Sequence, residues 1–159
     1  MGFLVNVRAV RTALPAAACL LALAGCSNGP DPVPAACSDS SATLQAALRR
    51  APGAVRLADG TPLSRCISRA RSDSDLQSLG LSLTRVADTL RAQAATDPSA
   101  ALRLGYFAGA VHAGAAASAS GIATQLARHL EHVAMLDPGA PPAAGAALRR
   151  GLRAGERSG

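Results

Sequence analysis

The side chains in this chain best suited to hold a metal ion or move a proton are three histidines and a glutamate. His129, Glu131 and His132 fall within one helical turn. Two imidazoles three positions apart can approach one ion, and His112 is a conceivable third ligand from a preceding helix. The spacing is neither His-Glu-x-x-His nor the Glu-x-x-His repeat of carboxylate-bridged bundles. A solvated helix face is the better account, so no metal ligand is assigned. Ser118 and Ser120 fall at an alanine-rich helix end, away from the strand-to-helix turn that exposes a nucleophilic serine. Asp73 and Asp75 read as helix-start residues, whose carboxylates suit the positive end of the helix dipole. The chain has no lysine and hence no phosphate loop ending in one. These patterns supply no catalytic residue and no cofactor site, and the chain reads as a non-enzyme.

The four cysteines say more. Cys26 closes the run Leu23-Ala24-Gly25-Cys26, at the end of an apolar stretch that begins near Ala13 and follows Arg8 and Arg11. A basic leader, about a dozen apolar residues and small residues at the end form a secretory signal, too short to span a bilayer comfortably. The four residues resemble the lipobox of bacterial lipoprotein precursors. That resemblance implies removal of residues 1–25 as a signal peptide and diacylglyceryl transfer to the Cys26 thiol. It also implies a product held by two or three fatty chains of the palmitate type. At about 0.8 kcal/mol per buried methylene, more than one chain makes attachment lasting. The alternative is an ordinary signal peptide cut after Ala24 or after Ala36, which releases a soluble product and leaves the placing of Cys26 unexplained.

On the lipoprotein reading Cys19 is discarded and Cys26 acylated, so Cys37 and Cys66 remain. Two thiols in an oxidising compartment are expected to pair. A bridge between them closes a loop of about thirty residues, worth roughly 3 to 4 kcal/mol in the chain-entropy estimate. A metal site or a reactive thiol is the other possibility, disfavoured because no histidine lies near either cysteine in sequence.

Removal of residues 1–25 leaves 134, enough for one domain with a modest core. The remaining chain carries fourteen arginines against ten acids, and its arginines are interleaved with acids and alanines. Its only aromatic residues are Tyr106 and Phe107, so base stacking has almost no platform and no nucleic-acid partner is expected. Ser27 to Ala36 holds Gly29, Pro30, Pro32 and Pro34. As a tether of about 3 Å per residue, it reaches roughly 30 Å and keeps the domain near the bilayer. In outer-membrane lipoproteins the residue after the acylated cysteine influences sorting, and Ser27 resembles the permissive type.

The remaining sequence predicts helices. Leu44, Ala47 and Leu48 share a face before Pro52-Gly53. Val55 to Gly60 reads as an extended piece and turn, or a tiny hairpin. Thr61-Pro62 opens a short helix containing Leu63, Cys66 and Ile67. The clearest element runs from Asp73 to Ala95, with Leu76, Leu79, Leu83, Val86 and Leu90 at three- and four-residue steps behind Ser72 as a capping group. Asp97-Pro98 starts another, with Leu104, Phe107, Val111 and Ala115 as a core stripe. Gly105, Gly109 and Ala113 recur there every fourth residue. Such spacing suits close packing in a bundle, or a membrane-spanning or dimerising helix, although Ala, Gly and Ser supply little insertion energy. Gly114 and Gly121 are expected to divide the segment. Gly121 to Leu136 carries Ile122, Leu126, Leu130 and Val133 on one stripe, and Asp137-Pro138-Gly139 stops it.

The expected fold is all-α. It is a small helical bundle of four or five helices with one disulfide, after a cleaved signal peptide (1–25) and a lipidated, Pro-rich tether (26–36). Residues 37–137 form the helical domain. Residues 138–159 are expected to be a basic tail, disordered or a weak helix with Leu148 and Leu152 on one side. The expected role is non-catalytic binding or scaffolding at the cell envelope. The chain would sit on the extracytoplasmic face of the cytoplasmic membrane or on the outer membrane, with an envelope protein or a second copy as partner. The alternative role is binding of a small ligand or metal through His112, His129 and His132.

Overall fold

The computed structural model describes residues 32–159. Cys19, the run Leu23-Ala24-Gly25-Cys26, Ser27, Gly29 and Pro30 lie outside the described residues. A 3₁₀ turn, Ala35–Ser38, leads into six helices: α1 (Ser41–Leu48), α2 (Leu63–Arg69), α3 (Asp73–Ala94), α4 (Pro98–Ala116), α5 (Gly121–Val133) and α6 (Pro142–Ser158). No strand occurs among the described residues, and none of their helices is long and apolar enough to cross a membrane.

Local chemistry starts most of these helices. Ser40, Ser72, Asp97 and Ser120 are N-caps whose side chains accept from the backbone N–H of Thr43, Asp75, Ser99 and Ala123, satisfying donors that a helix start leaves open. At α3 the cap is reciprocal. The Ser72 hydroxyl accepts from Asp75 N–H at 3.1 Å, and the Asp75 carboxylate accepts from Ser72 N–H at 3.2 Å. The Val55–Gly60 segment makes a tight turn and no hairpin strands. Leu57 N–H donates to the Thr61 carbonyl at 2.9 Å, and Gly60 takes φ +82°, a value that favours glycine.

Helix α4 is the centre of the bundle. Leu104 through Val111 are all buried, so the helix is covered on every side and its apolar residues need no single stripe. Helices α2, α3, α5 and α6 pack around it, α6 most extensively. On α3 the expected stripe of Leu76, Leu79, Leu83, Val86 and Leu90 is buried as its periodicity requires. The Cys37–Cys66 disulfide is present, with Cα atoms 5.5 Å apart and both residues buried. It ties the 3₁₀ turn to α2.

The α4–α6 contact is made by glycine. A Cβ added at Gly105 or Gly109 would overlap the carbonyls of Leu148 or Leu152, and one at Gly151 or Gly155 would overlap those of Leu102 or Tyr106. Both registers rise together, so the two helices run parallel with their backbones in contact. The far end of this seam is closed by a polar chain. Val55 N–H donates to the Tyr106 hydroxyl at 3.1 Å, Tyr106 Oη lies 3.2 Å from Ser158 Oγ, and Ser158 Oγ donates to the Ala154 carbonyl at 2.9 Å. The Ser64 hydroxyl of α2 donates to the Gly159 carbonyl.

Residues 138–159 therefore differ most from the sequence expectation. They form a seventeen-residue helix that belongs to the core, and the bundle has six helices in place of four or five. Its buried face is Ala144, Ala147, Gly151, Ala154 and Gly155, while Leu148 and Leu152 are only half-buried. Gly114 does not divide α4, because its missing side chain makes room for the Ser64 carbonyl and Ile67 of α2. Of the expected core stripe of α5, Leu130 is buried but Ile122 is 41% exposed, and Ala123 and Ala127 are buried in its place. The short helix α2 starts one residue later than expected, with Pro62 as its N-cap. At the other end, Val33 packs on the core, so the last tether residues belong to the folded unit.

Gly151→Ala should cost on the order of 1–3 kcal/mol or more through overpacking. Gly145→Ala, on the same helix with only Arg149 Nη1 at 3.6 Å, should be neutral or stabilising by about 0.4–1 kcal/mol. Equal losses in denaturant titrations of the two variants would remove the seam as the constraint. The Asp75 carboxyl is held below its ordinary value of 3.8 by hydrogen bonding to Ser72, side chain first and then backbone. A depressed carboxyl stabilises the fold above that value, and the contribution is lost as pH falls through the lower folded value. Asp75→Asn should therefore lower the melting temperature at neutral pH and narrow the gap to wild type below pH 3.8. A gap independent of pH would count against the cap.

Candidate functional site

Because α6 docks on α4 by its small residues, its leucines are left beside the seam and not within it. A cleft of about 370 Å³ opens there between α4, α5 and α6. Gly105 and Ala108 of α4 form its floor, and Ala134 and Met135 at the end of α5 face Leu148 and Leu152 of α6. Met135 is 61% exposed, a large apolar side chain left on the surface at the rim. Four polar side chains, His112, Glu131, Arg149 and Glu156, complete the rim. This volume lies at the lower end of the range for small-molecule sites, and an apolar bed with a few polar groups is their usual chemistry.

His112 and Glu131 meet because α5 runs antiparallel to α4. The Nδ1 of His112 lies 2.8 Å from Glu131 Oε1, with side chains 54% and 41% exposed. The pair links two helices at the cleft edge and also borders a smaller recess of about 210 Å³ with Thr124 and Arg128.

The three histidines do not converge. His129 lines a shallow groove between α3 and α5 with Asp73 and Arg85, whereas His112 faces the α4–α5–α6 cleft and His132 is exposed. Among the described residues no group of three His, Cys, Asp or Glu side chains is placed to hold a metal ion. Comparison with protein-family models, with curated proteins and with solved structures finds no match.

The remaining sequence candidates have structural work. Ser120 caps α5, and Ser118 Oγ accepts from Ser120 N–H at 3.1 Å. Asp75 belongs to the α3 capping box, and Asp73 sits in the same first turn. The α3–α5 groove, about 630 Å³ and open, exposes Leu81 to 65% beside Ile122. Sequence reasoning missed Met135, Leu148, Arg149, Leu152 and Glu156 as cleft residues. The signal that could have found them is the pair Gly151 and Gly155, spaced like Gly105 and Gly109 and able to dock on them.

A double-mutant cycle on His112→Ala and Glu131→Ala tests how the cleft edge is held. For a pair this exposed the coupling should stay below about 1 kcal/mol of stability. A coupling several times larger, read from chemical denaturation, would mark the pair as a structural clasp.

Proposed function

We propose that this protein is a lipid-anchored cell-envelope module that acts by non-catalytic binding. The observation that carries the reading is the buried Cys37–Cys66 disulfide. It uses the two thiols that remain once the Leu23–Cys26 segment is read as a lipoprotein processing site, and such a bridge supports an oxidising, extracytoplasmic compartment. Acylation at Cys26 then holds the bundle on the outer side of the cytoplasmic membrane or on the outer membrane.

The binding role draws on where apolar surface is left uncovered. Leu81 and Ile122 form the apolar centre of the α3–α5 groove, rimmed by Gln77, Gln125 and His129, in the manner of a protein contact face. A second reading, a small apolar ligand, is favoured by the cleft under Met135, Leu148 and Leu152. In that reading His112 and Arg149 orient the ligand's polar end.

Membranes of cells producing the chain with a photoreactive residue at Leu81 should yield two results in one mass-spectrometric experiment. The product should begin at an acylated Cys26, and illumination should give an adduct with one envelope protein or a second copy that Ile122→Asp abolishes. An unmodified amino terminus elsewhere overturns the anchor. A product without any adduct overturns the contact face.

A further inference from the structure

The outward side of α6 is basic over its last three turns. At about 100° per residue, positions 150, 153 and 157 lie within one narrow arc, on the side away from the Gly151–Gly155 seam. Arg150, Arg153 and Arg157 are all exposed. The arc continues past the helix. Arg56 Nη1 donates to the Ser158 carbonyl at 3.4 Å, and Arg50 Nη1 donates to the Arg56 carbonyl at 3.5 Å. Arg56 and Arg50 are thus beside the C-terminal end of α6, next to the turn that carries Arg157, and none of the five arginines has a carboxylate within ion-pair distance among the described residues. The carboxylates nearest in sequence are turned elsewhere: Asp59 accepts from Thr61 N–H, and Glu156 lines the cleft.

Cys37 is bonded to Cys66 of α2, and Ser64, two residues earlier on α2, is bonded to Gly159 just beyond α6. The disulfide is thus linked through α2 to the end of α6, whereas Val33 ahead of it packs beside Ser74, Ser78 and Ser82 of α3.

We infer that Arg50, Arg56, Arg150, Arg153 and Arg157 form a contact surface for the headgroups of anionic phospholipids. The charges are complementary, and the planar guanidinium fork matches phosphate oxygens. Leu148 and Leu152 face the cleft edge, so contact is electrostatic, with no leucine insertion. The inference extends the proposed function by giving the anchored bundle a preferred face toward the bilayer, yet it stands without the anchor.

The test uses the protein purified from membranes and mixed with vesicles of phosphatidylcholine alone or with about one-third phosphatidylglycerol. Vesicle flotation is read together with the rate at which phenylglyoxal modifies each arginine. Flotation with neutral vesicles reports the anchor, whereas arginine protection reports the surface, so the two can fail separately. On anionic vesicles in about 0.01 M salt, Arg50, Arg56, Arg150, Arg153 and Arg157 should react several-fold more slowly than on neutral ones. Arg85 and Arg128, exposed on α3 and α5, should not change. Protection should disappear near 1 M salt, where screening shortens to about 3 Å.

Each arginine near an anionic surface strengthens binding by roughly fivefold. An R150Q/R153Q/R157Q variant without an acyl chain should therefore bind anionic vesicles on the order of a hundredfold more weakly, with an unchanged circular dichroism spectrum. Equal modification rates on both vesicle types would overturn the inference, as would uniform protection of all exposed arginines. The same protection by heparin at matched charge would assign the surface to polyanions in general and overturn the lipid assignment.

Discussion

Four glycines let α4 and α6 run with their backbones touching, and the rest of the bundle is arranged around that contact. At each of Gly105, Gly109, Gly151 and Gly155 the place of a Cβ is taken by a carbonyl of the facing helix. The Cα–H groups then point at carbonyl oxygens, a weak attraction that recurs where helices approach this closely. Glycine in a helix costs roughly 0.5–1 kcal/mol relative to alanine, so four of them are tolerable only when the close approach returns more in packing. The return is a central helix buried on every side.

The seam also explains the surface. With small residues carrying the α4–α6 contact, the larger side chains of α6 are displaced to its flanks. Leu148 and Leu152 become one wall of a cleft that α5 closes with Ala134 and Met135, and the arginines are left on the outer arc. One helix therefore presents three chemistries, a glycine face to the core, a leucine edge to the cleft and a basic face to solvent. The His112–Glu131 pair sits where the first two meet.

A core so rich in alanine and glycine gains little transfer energy per side chain, since burying a large aliphatic residue is worth about 1.5–3 kcal/mol and alanine far less. Constraint elsewhere matters correspondingly more. The Cys37–Cys66 bridge ties the 3₁₀ turn to α2, and the Val55–Tyr106–Ser158 hydrogen-bond chain joins the segment before α3 to the end of α6, across a separation in sequence that local propensity could not span.

By itself the sequence determined the helical class, the caps at Ser72 and Asp97, the stripe of α3 and the pairing of Cys37 with Cys66. Each of these is a local pattern or a count of thiols. It also showed the small-residue interval at Gly105 and Gly109 as a place for close packing. Only the tertiary structure decided what packs there, because Gly151 and Gly155 have no hydrophobic signal until a matching backbone lies against them. For the same reason Ile122 was misread as a core marker and the helix of Leu148 and Leu152 as a tail: transfer energy ranks residues one at a time, whereas burial in this bundle is set by how closely two backbones can approach. Whether His112, His129 and His132 could meet was likewise a matter of helix order in space, which sequence spacing does not contain.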